Sequence, residues 1–113
     1  MRHHLVREVV RYYAERAGYL GPLRVTTRRA HFEELTRRRK VPLSASERYD
    51  TLAITLHGRT PVVWVAVDKH RTIADLARSA AHEAVHLRRG PGSRCGARGF
   101  AADVRTLVRG GAL

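Results

Sequence analysis

Two histidines and a glutamate in the segment His82-Glu83-Ala84-Val85-His86 are the residues of this chain best placed to do chemistry. In an α-helix, His82 and His86 lie one turn apart, and their side chains project about 40° apart around the helix axis. Two imidazoles so placed can bind one metal ion. Glu83, about 100° further round the axis, could hold its carboxylate over a water molecule that the metal activates. The segment therefore predicts a metal site in which Glu83 is the general base.

The residues around this segment predict the helix that the site needs. A helix from Thr72 to Leu87 has an apolar stripe roughly opposite the histidines, so we expect the imidazoles to face a cleft or a second packed element. The stripe consists of Ile73, Leu76, Ala77, Ala80, Ala84 and Leu87. Thr72 and Asp75 have the spacing of a capping box at its start. Gly90-Pro91-Gly92 predicts an abrupt end.

Two strands that form a β-hairpin are predicted directly before this helix. Residues alternate from Thr51 to His57, a turn follows at Gly58 to Pro61, and the segment from Val62 to Val67 is apolar on both faces, as in a central strand. The remaining elements are an amphipathic helix from Leu5 to Ala17, a strand from Leu23 to Arg28, a short helix from Ala30 to Arg39, a loop from Ser44 to Arg48, and a final helix from Cys95 or Gly96 to Arg109. The expected fold is α+β, a small twisted, mainly antiparallel sheet with helices packed on it.

Length and composition favour one domain over residues 1–113. There is no apolar run of about 18 residues that could span a membrane, and the first residues lack the apolar segment of a signal peptide. The single cysteine, Cys95, cannot form an internal disulfide. We therefore expect a cytoplasmic protein with no membrane partner.

The formal net charge of +12 suggests a polyanionic partner. Nearly all the basic residues are arginines, and only Arg37 to Lys40 forms a run. Nucleic acid is a possible partner, and a solvated basic surface explains the same charge equally well. No nucleic-acid-binding motif with interleaved aromatic residues is present.

A β-hairpin that leads into this His-Glu-x-x-His helix, followed by a closing helix, resembles the minimal zincin metallopeptidase fold. Within that group, the segment from Arg78 to His86 and the later Phe100-Ala101-Ala102 are similar to peptidase domains of the ImmA/IrrE type, and a SprT-like domain is a weaker match. The resemblance implies Zn²⁺ bound by His82 and His86, Glu83 as general base, and a peptide or protein substrate lying along a sheet edge.

The third zinc ligand is the open question, because a catalytic zinc site usually has three protein ligands and one open position. In the gluzincin pattern this ligand is a glutamate on the following helix, where the present chain has Asp103. Cys95 is the alternative, because a thiolate binds zinc well. The SprT-like pattern requires a histidine downstream, and none follows His86.

Three functions remain open at this stage. The first is a small zinc-dependent metallopeptidase. The second is a non-catalytic basic module of zincin fold that binds nucleic acid or a protein partner. The third is a fragment whose cleft is completed by another subunit.

Overall fold

The structure, a computed structural model, describes residues 1–111, so the last two residues of the expected domain lie outside the described residues. It is an α+β fold. Its helices are α1 His3–Arg16, α2 Arg29–Arg38, α3 Ala45–Tyr49, α4 Ile73–Arg89 and α5 Phe100–Gly110, and its strands are β1 Arg24–Thr26, β2 Ala53–Leu56 and β3 Val62–Val65. A 3₁₀ turn, Val67–Lys69, connects β3 towards α4. Within the described residues, no helix combines the length and the apolar character needed to cross a bilayer.

The sheet has three strands in the order β1-β3-β2. β2 and β3 form the predicted antiparallel hairpin, with Ala53 opposite Val65 and Leu56 opposite Val62. β1 runs parallel to β3, with Val25 opposite Val63. The sheet is therefore mixed rather than mainly antiparallel, because the chain crosses over through α2 and α3 between β1 and the hairpin.

The central strand β3 is buried on both faces, as predicted, because helices cover both sides of the sheet. Val63 and Val65 pack in the larger core, which includes apolar residues of α1, α4 and α5. Val62 and Trp64 point the other way and pack with Phe32 and Leu35 of α2. Phe32 and Trp64 stack with their ring centroids 4.3 Å apart. The two-residue period of a strand thus divides the apolar residues between two layers.

Helix α4 confirms the predicted motif helix. It ends at Arg89, two residues beyond the predicted end at Leu87. The Thr72 side chain accepts a hydrogen bond from the Asp75 backbone N–H at 3.1 Å, and Gly90 is the C-cap. The predicted apolar stripe is buried except at its first member, Ile73, which remains exposed. Ala81, Glu83 and Val85 are buried as well. The buried surface of α4 is wider than one stripe because α1, α5 and β2 all pack against it.

Two further sequence predictions differ from the structure. Most of the segment predicted as a loop, Ser44 to Arg48, belongs to the short helix α3, because Ser44 and Glu47 form a complete capping box. The final helix begins at Phe100 and not at Cys95 or Gly96. Its N-cap is Gly99, whose φ of 81° is left-handed and so interrupts a helix. Residues 90–99 therefore form a connection that folds back over α4.

Candidate metal centre

Helix α4 places His82 and His86 side by side. Their ring centroids are 5.1 Å apart, and both side chains are only partly buried. This is the one-turn spacing that the segment predicts, because residues i and i+4 share one face of a helix. The imidazoles are stabilised by Phe100, the first residue of α5, whose ring centroid lies 5.0 Å from that of His82 and 4.6 Å from that of His86.

The connection between α4 and α5 brings Cys95 to the two histidines. The Cys95 Sγ lies 3.1 Å from Nε2 of His82 and 3.2 Å from Nε2 of His86. One ligand atom from each of these three side chains lies within 4.8 Å of the other two. Cys95 itself is exposed, so the cluster opens to solvent on the side of this connection.

The three atoms fit a zinc ion in composition and spacing. Zn–N and Zn–S bonds of about 2.0 and 2.3 Å place tetrahedral N and S ligands about 3.5 Å apart. The two observed N–S distances are a few tenths of an ångström shorter. Imidazole nitrogen and thiolate sulfur are also the donor types that zinc prefers. Three protein ligands would leave a fourth position for water or substrate.

Asp103, which the gluzincin pattern suggests as the third ligand, lies away from the two imidazoles. Its Oδ2 accepts hydrogen bonds from Arg88 at 2.5 Å and Arg89 at 2.9 Å. These contacts lower its pKa, chiefly through the hydrogen bond from Arg89. Asp103 is one turn into α5 and faces the last turn of α4, where two guanidinium groups satisfy its carboxylate. Cys95, the alternative, takes the place beside the histidines.

Glu83 lies beside the cluster and is nearly buried, with 4% of its surface exposed. Its Oε1 accepts a hydrogen bond of 2.9 Å from the Thr55 hydroxyl on β2. Burial raises the pKa of Glu83 to about 7, and the Thr55 hydrogen bond opposes this shift. Glu83 and His82 line a cleft of about 350 Å³, together with Leu52, Ala53, Arg78 and Ser79. The carboxylate is thus shielded from bulk water but borders a cleft next to the metal ligands.

The surroundings of His86 leave one ring nitrogen available to a metal. Its Nδ1 lies 2.7 Å from the Ser93 hydroxyl, and in the tautomer that donates there, Nε2 carries the free lone pair. Burial lowers the pKa of His86 to about 4, with further contributions from His82, His57 and Arg89. Burial also lowers the pKa of His82. Both imidazoles are therefore neutral at pH 7, as metal binding requires.

Asp75 and Ser79 precede His82 on the same side of α4, but both are engaged elsewhere and do not support the imidazoles. The Ser79 hydroxyl lies 2.7 Å from Nε2 of His70. The Asp75 carboxylate accepts a hydrogen bond from Arg78 at 2.6 Å. His70 is buried, and Tyr49 lines a different groove, so neither lines the cleft beside Glu83.

Sequence reasoning missed three residues of the site. Thr55 lies on β2, and the alternating pattern of that strand could have placed it on the face towards the motif helix. Ser93 lies in the irregular connection, where no pattern indicates the direction of a side chain. His57, half-buried at the end of β2, is close enough to His86 to lower its pKa. The sequence predicts His57 as the last residue of the strand, but its proximity to the motif depends on how β2 packs on α4.

This chain matches no known protein-family model, no curated protein and no solved structure.

Proposed function

We propose that this protein is a small zinc-dependent metallopeptidase in which His82, His86 and Cys95 hold the metal. The observation that carries the proposal is the convergence of two imidazole nitrogens on one thiol sulfur at 3.1 and 3.2 Å. Next to it lies a nearly buried carboxylate that borders a cleft. A metal with one open position, a carboxylate base and an adjoining cleft are the parts that metal-assisted hydrolysis needs.

A zinc ion held by His82, His86 and Cys95 would supply a Lewis acid for water activation and for polarising the carbonyl of a peptide bond. Glu83 would take the proton of the water and deliver it to the leaving amine. Thr55 orients the carboxylate through its hydrogen bond to Oε1. Arg78 lines the same cleft but pairs with Asp75 at 2.6 Å, so its guanidinium would have to turn away from Asp75 to reach an oxyanion on the carbonyl.

The edge strand β2 offers a binding mode for an extended peptide. Sheet order leaves one side of β2 unpaired among the described strands, and Ala53 of this strand lines the cleft together with His82 and Glu83. A substrate strand added at this edge would gain backbone hydrogen bonds and pass beside the metal ligands. This agrees with the substrate position that the resemblance to zincin metallopeptidases implies.

Cys95 distinguishes this site from the families that the sequence resembles. We propose that it replaces the downstream histidine of the SprT-like pattern and the glutamate of the gluzincin pattern. A zinc-bound thiolate persists best in a reducing compartment, so the proposal retains a cytoplasmic location.

The test combines metal content with cleavage. Protein purified without added zinc is expected to contain about one zinc per chain, and His82→Ala is expected to lose it. Glu83→Gln is expected to keep the zinc but to lose cleavage of an unfolded, fluorogenic protein substrate by about 10²- to 10⁴-fold. Glu15→Gln, an exposed glutamate on α1, is the matched control and should cleave normally.

Two results would contradict the proposal. Unchanged cleavage by Glu83→Gln would exclude Glu83 as the base. Zinc-loaded wild-type protein that cleaves nothing would favour the non-catalytic binding module, or a cleft that needs another subunit.

A further inference from the structure

A second concave surface lies at the β1 edge of the sheet, and it shares no residue with the candidate metal centre. A cavity of about 200 Å³ opens between α1, β1 and the start of α2. Its polar lining consists of Arg7, Arg24, Thr26, Thr27, Arg28 and His31. These residues are spread over 25 positions of sequence (7 to 31), so only the fold brings the cations together.

The positive charge of this cavity is not compensated. Its lining contains no carboxylate. Within the described part of the chain, no ion pair involves Arg7, Arg24 or Arg28. The Arg7 guanidinium donates only a long hydrogen bond of 3.4 Å to the Thr27 hydroxyl. Three arginines around a concave surface without acidic partners form a site for an anion.

The hydroxyl of Thr26 provides an independent indication of a ligand. Thr26 lines the cavity with 5% of its surface exposed, and its Oγ1 is buried without a hydrogen-bond partner among residues 1–111. Leaving such a group unpaired costs about 1–3 kcal/mol. The neighbouring Thr27 hydroxyl, by contrast, lies 2.7 Å from Nδ1 of His3. Because Thr26 lines the cavity, a rotation of its side chain would let an oxyanion there accept the hydrogen bond that the hydroxyl lacks.

Helix α2 also begins at this cavity. Its N-cap, Arg28, makes no side-chain capping bond, and the first turn of this ten-residue helix contains no acidic residue. The first N–H groups of a helix have no partner within the helix, and its N-terminus carries a partial positive charge. A phosphate group is the anion that suits this combination of guanidinium groups, a hydroxyl and a helix start.

A larger groove continues from the cavity on the other side of Thr27. It measures about 750 Å³, and its lining includes the basic residues His3, Arg29 and Lys69, with Asp68 as its single carboxylate. Tyr49 also lines it, with its ring 5.1 Å from the Arg29 guanidinium carbon. Arg29 also pairs with Glu33 at 3.5 Å, so this groove is less positive than the cavity. It still places further basic side chains next to the cavity, an arrangement that fits a ligand carrying several phosphates in series.

We propose that this surface binds the phosphodiester backbone of nucleic acid, with one phosphate in the cavity of Arg24, Thr26 and Arg28 and the chain continuing past Thr27 into the larger groove. The net charge of +12 supports the same partner, because neutralised phosphates release counterions. The proposal does not depend on the proposed peptidase activity. It is tested on metal-free protein, so either one can fail alone.

The test measures binding of a short fluorescent oligonucleotide by anisotropy at several salt concentrations. Arg24→Ala/Arg28→Ala removes two exposed arginines of the cavity, and Arg105→Ala/Arg109→Ala removes two exposed arginines of α5 as the charge-matched control. The cavity variant should bind at least about tenfold more weakly at about 0.1 M salt, and its salt slope should fall by roughly 0.7 to 0.9, because one phosphate contact is lost. The control should change affinity by less than about threefold, because its arginines contribute only to the long-range field.

The Thr26→Val variant distinguishes binding at this cavity from attraction by the net charge alone. It removes the unpaired hydroxyl without changing the charge, so we expect severalfold weaker binding with an unchanged salt slope. Equal losses in the two double-arginine variants would overturn the proposal. So would tighter binding of wild-type protein to phosphatidylserine vesicles than to the oligonucleotide, because the preferred partner would then be a membrane surface.

Discussion

The two candidate third ligands, Cys95 and Asp103, occupy different electrostatic environments. The Cys95 sulfur lies within 3.2 Å of both ligand nitrogens, whereas the Asp103 carboxylate is held by Arg88 and Arg89. A carboxylate in two charge-assisted hydrogen bonds would have to give up both in order to reach a metal.

We therefore expect a large loss of zinc affinity from substitution at Cys95 and little change from substitution at Asp103. Cys95→Ala should lower zinc affinity by at least about 100-fold, because it removes a direct ligand, and direct ligands matter at least as much as the groups that orient them. Asp103→Asn should change zinc affinity by less than about threefold, since outer charges are partly screened. Competition with a chromophoric chelator measures both values. The reverse result would restore Asp103 as the ligand.

Glu83 gives the metal-free protein a pH-dependent stability. Its pKa is about 7 in the folded protein because burial disfavours the charged form, compared with 4.5 when exposed. A raised carboxyl pKa means that the folded state binds the proton more tightly. The contribution of the neutral Glu83 carboxyl to the free energy of unfolding is complete below about pH 4.5 and is lost as pH rises through about 7.

For metal-free protein kept in chelator, we expect the free energy of unfolding to fall by up to about 3 kcal/mol between pH 4.5 and pH 8, relative to Glu83→Gln. Urea denaturation at several pH values measures this difference. If the free energies of unfolding of the two proteins change with pH in parallel, the Glu83 carboxyl is ionised throughout this pH range or is open to water.

At the scale of elements, the candidate metal centre depends on how the connection leaves α4. Gly90 has φ 86° and ψ −172°, a conformation that is essentially restricted to glycine. Its N–H donates to the His86 carbonyl at 2.9 Å, so the chain turns directly after the second histidine. This turn starts the path that brings Ser93 and Cys95 back over the imidazoles.

Gly90→Ala should destabilise the protein by about 1–3 kcal/mol and should weaken zinc binding as well, because the connection would start in the wrong direction. Gly96→Ala is the control within the same connection. A Cβ at Gly96 would meet no atom within 4 Å, and its φ is not left-handed. Thermal unfolding with and without zinc compares the two variants. Equal behaviour would show that the exit from α4 does not position Cys95.

At the scale of the whole molecule, a bound metal would join helix α4 to the connection that leads to α5. His82 and His86 belong to α4, which packs on both α1 and β2, while Cys95 lies in the connection to α5. A ligand that binds only the folded state stabilises it in proportion to its occupancy.

Zinc at about 100 times its dissociation constant should therefore raise the free energy of unfolding by about 2.7 kcal/mol. Melting temperatures with zinc and with excess chelator measure the effect. The double variant His82→Ala/Cys95→Ala should melt at the same temperature in both solutions. A melting temperature of the wild type that is indifferent to zinc would argue against a metal at this site.

The local parts of this structure were predictable from the sequence. Helix α4 was evident because its periodicity, the cap at Thr72 and the stop at Gly90 are all encoded within its own residues. The hairpin of β2 and β3 was evident because a short turn limits two adjacent strands to antiparallel pairing. The short helix α3 was missed although its capping box, Ser44 and Glu47, is local as well.

By itself, therefore, the sequence determined that two histidines share one face of a helix, with a glutamate beside them. Only the tertiary structure decided that Cys95, rather than Asp103, meets them, that β1 pairs in parallel with β3, and that Arg7, Arg24 and Arg28 surround one cavity. The physical reason is the range of the interactions involved. Helix periodicity and capping act within about four residues. The contacts that build the two sites and pair β1 with β3 depend on how distant segments pack, which no local pattern specifies.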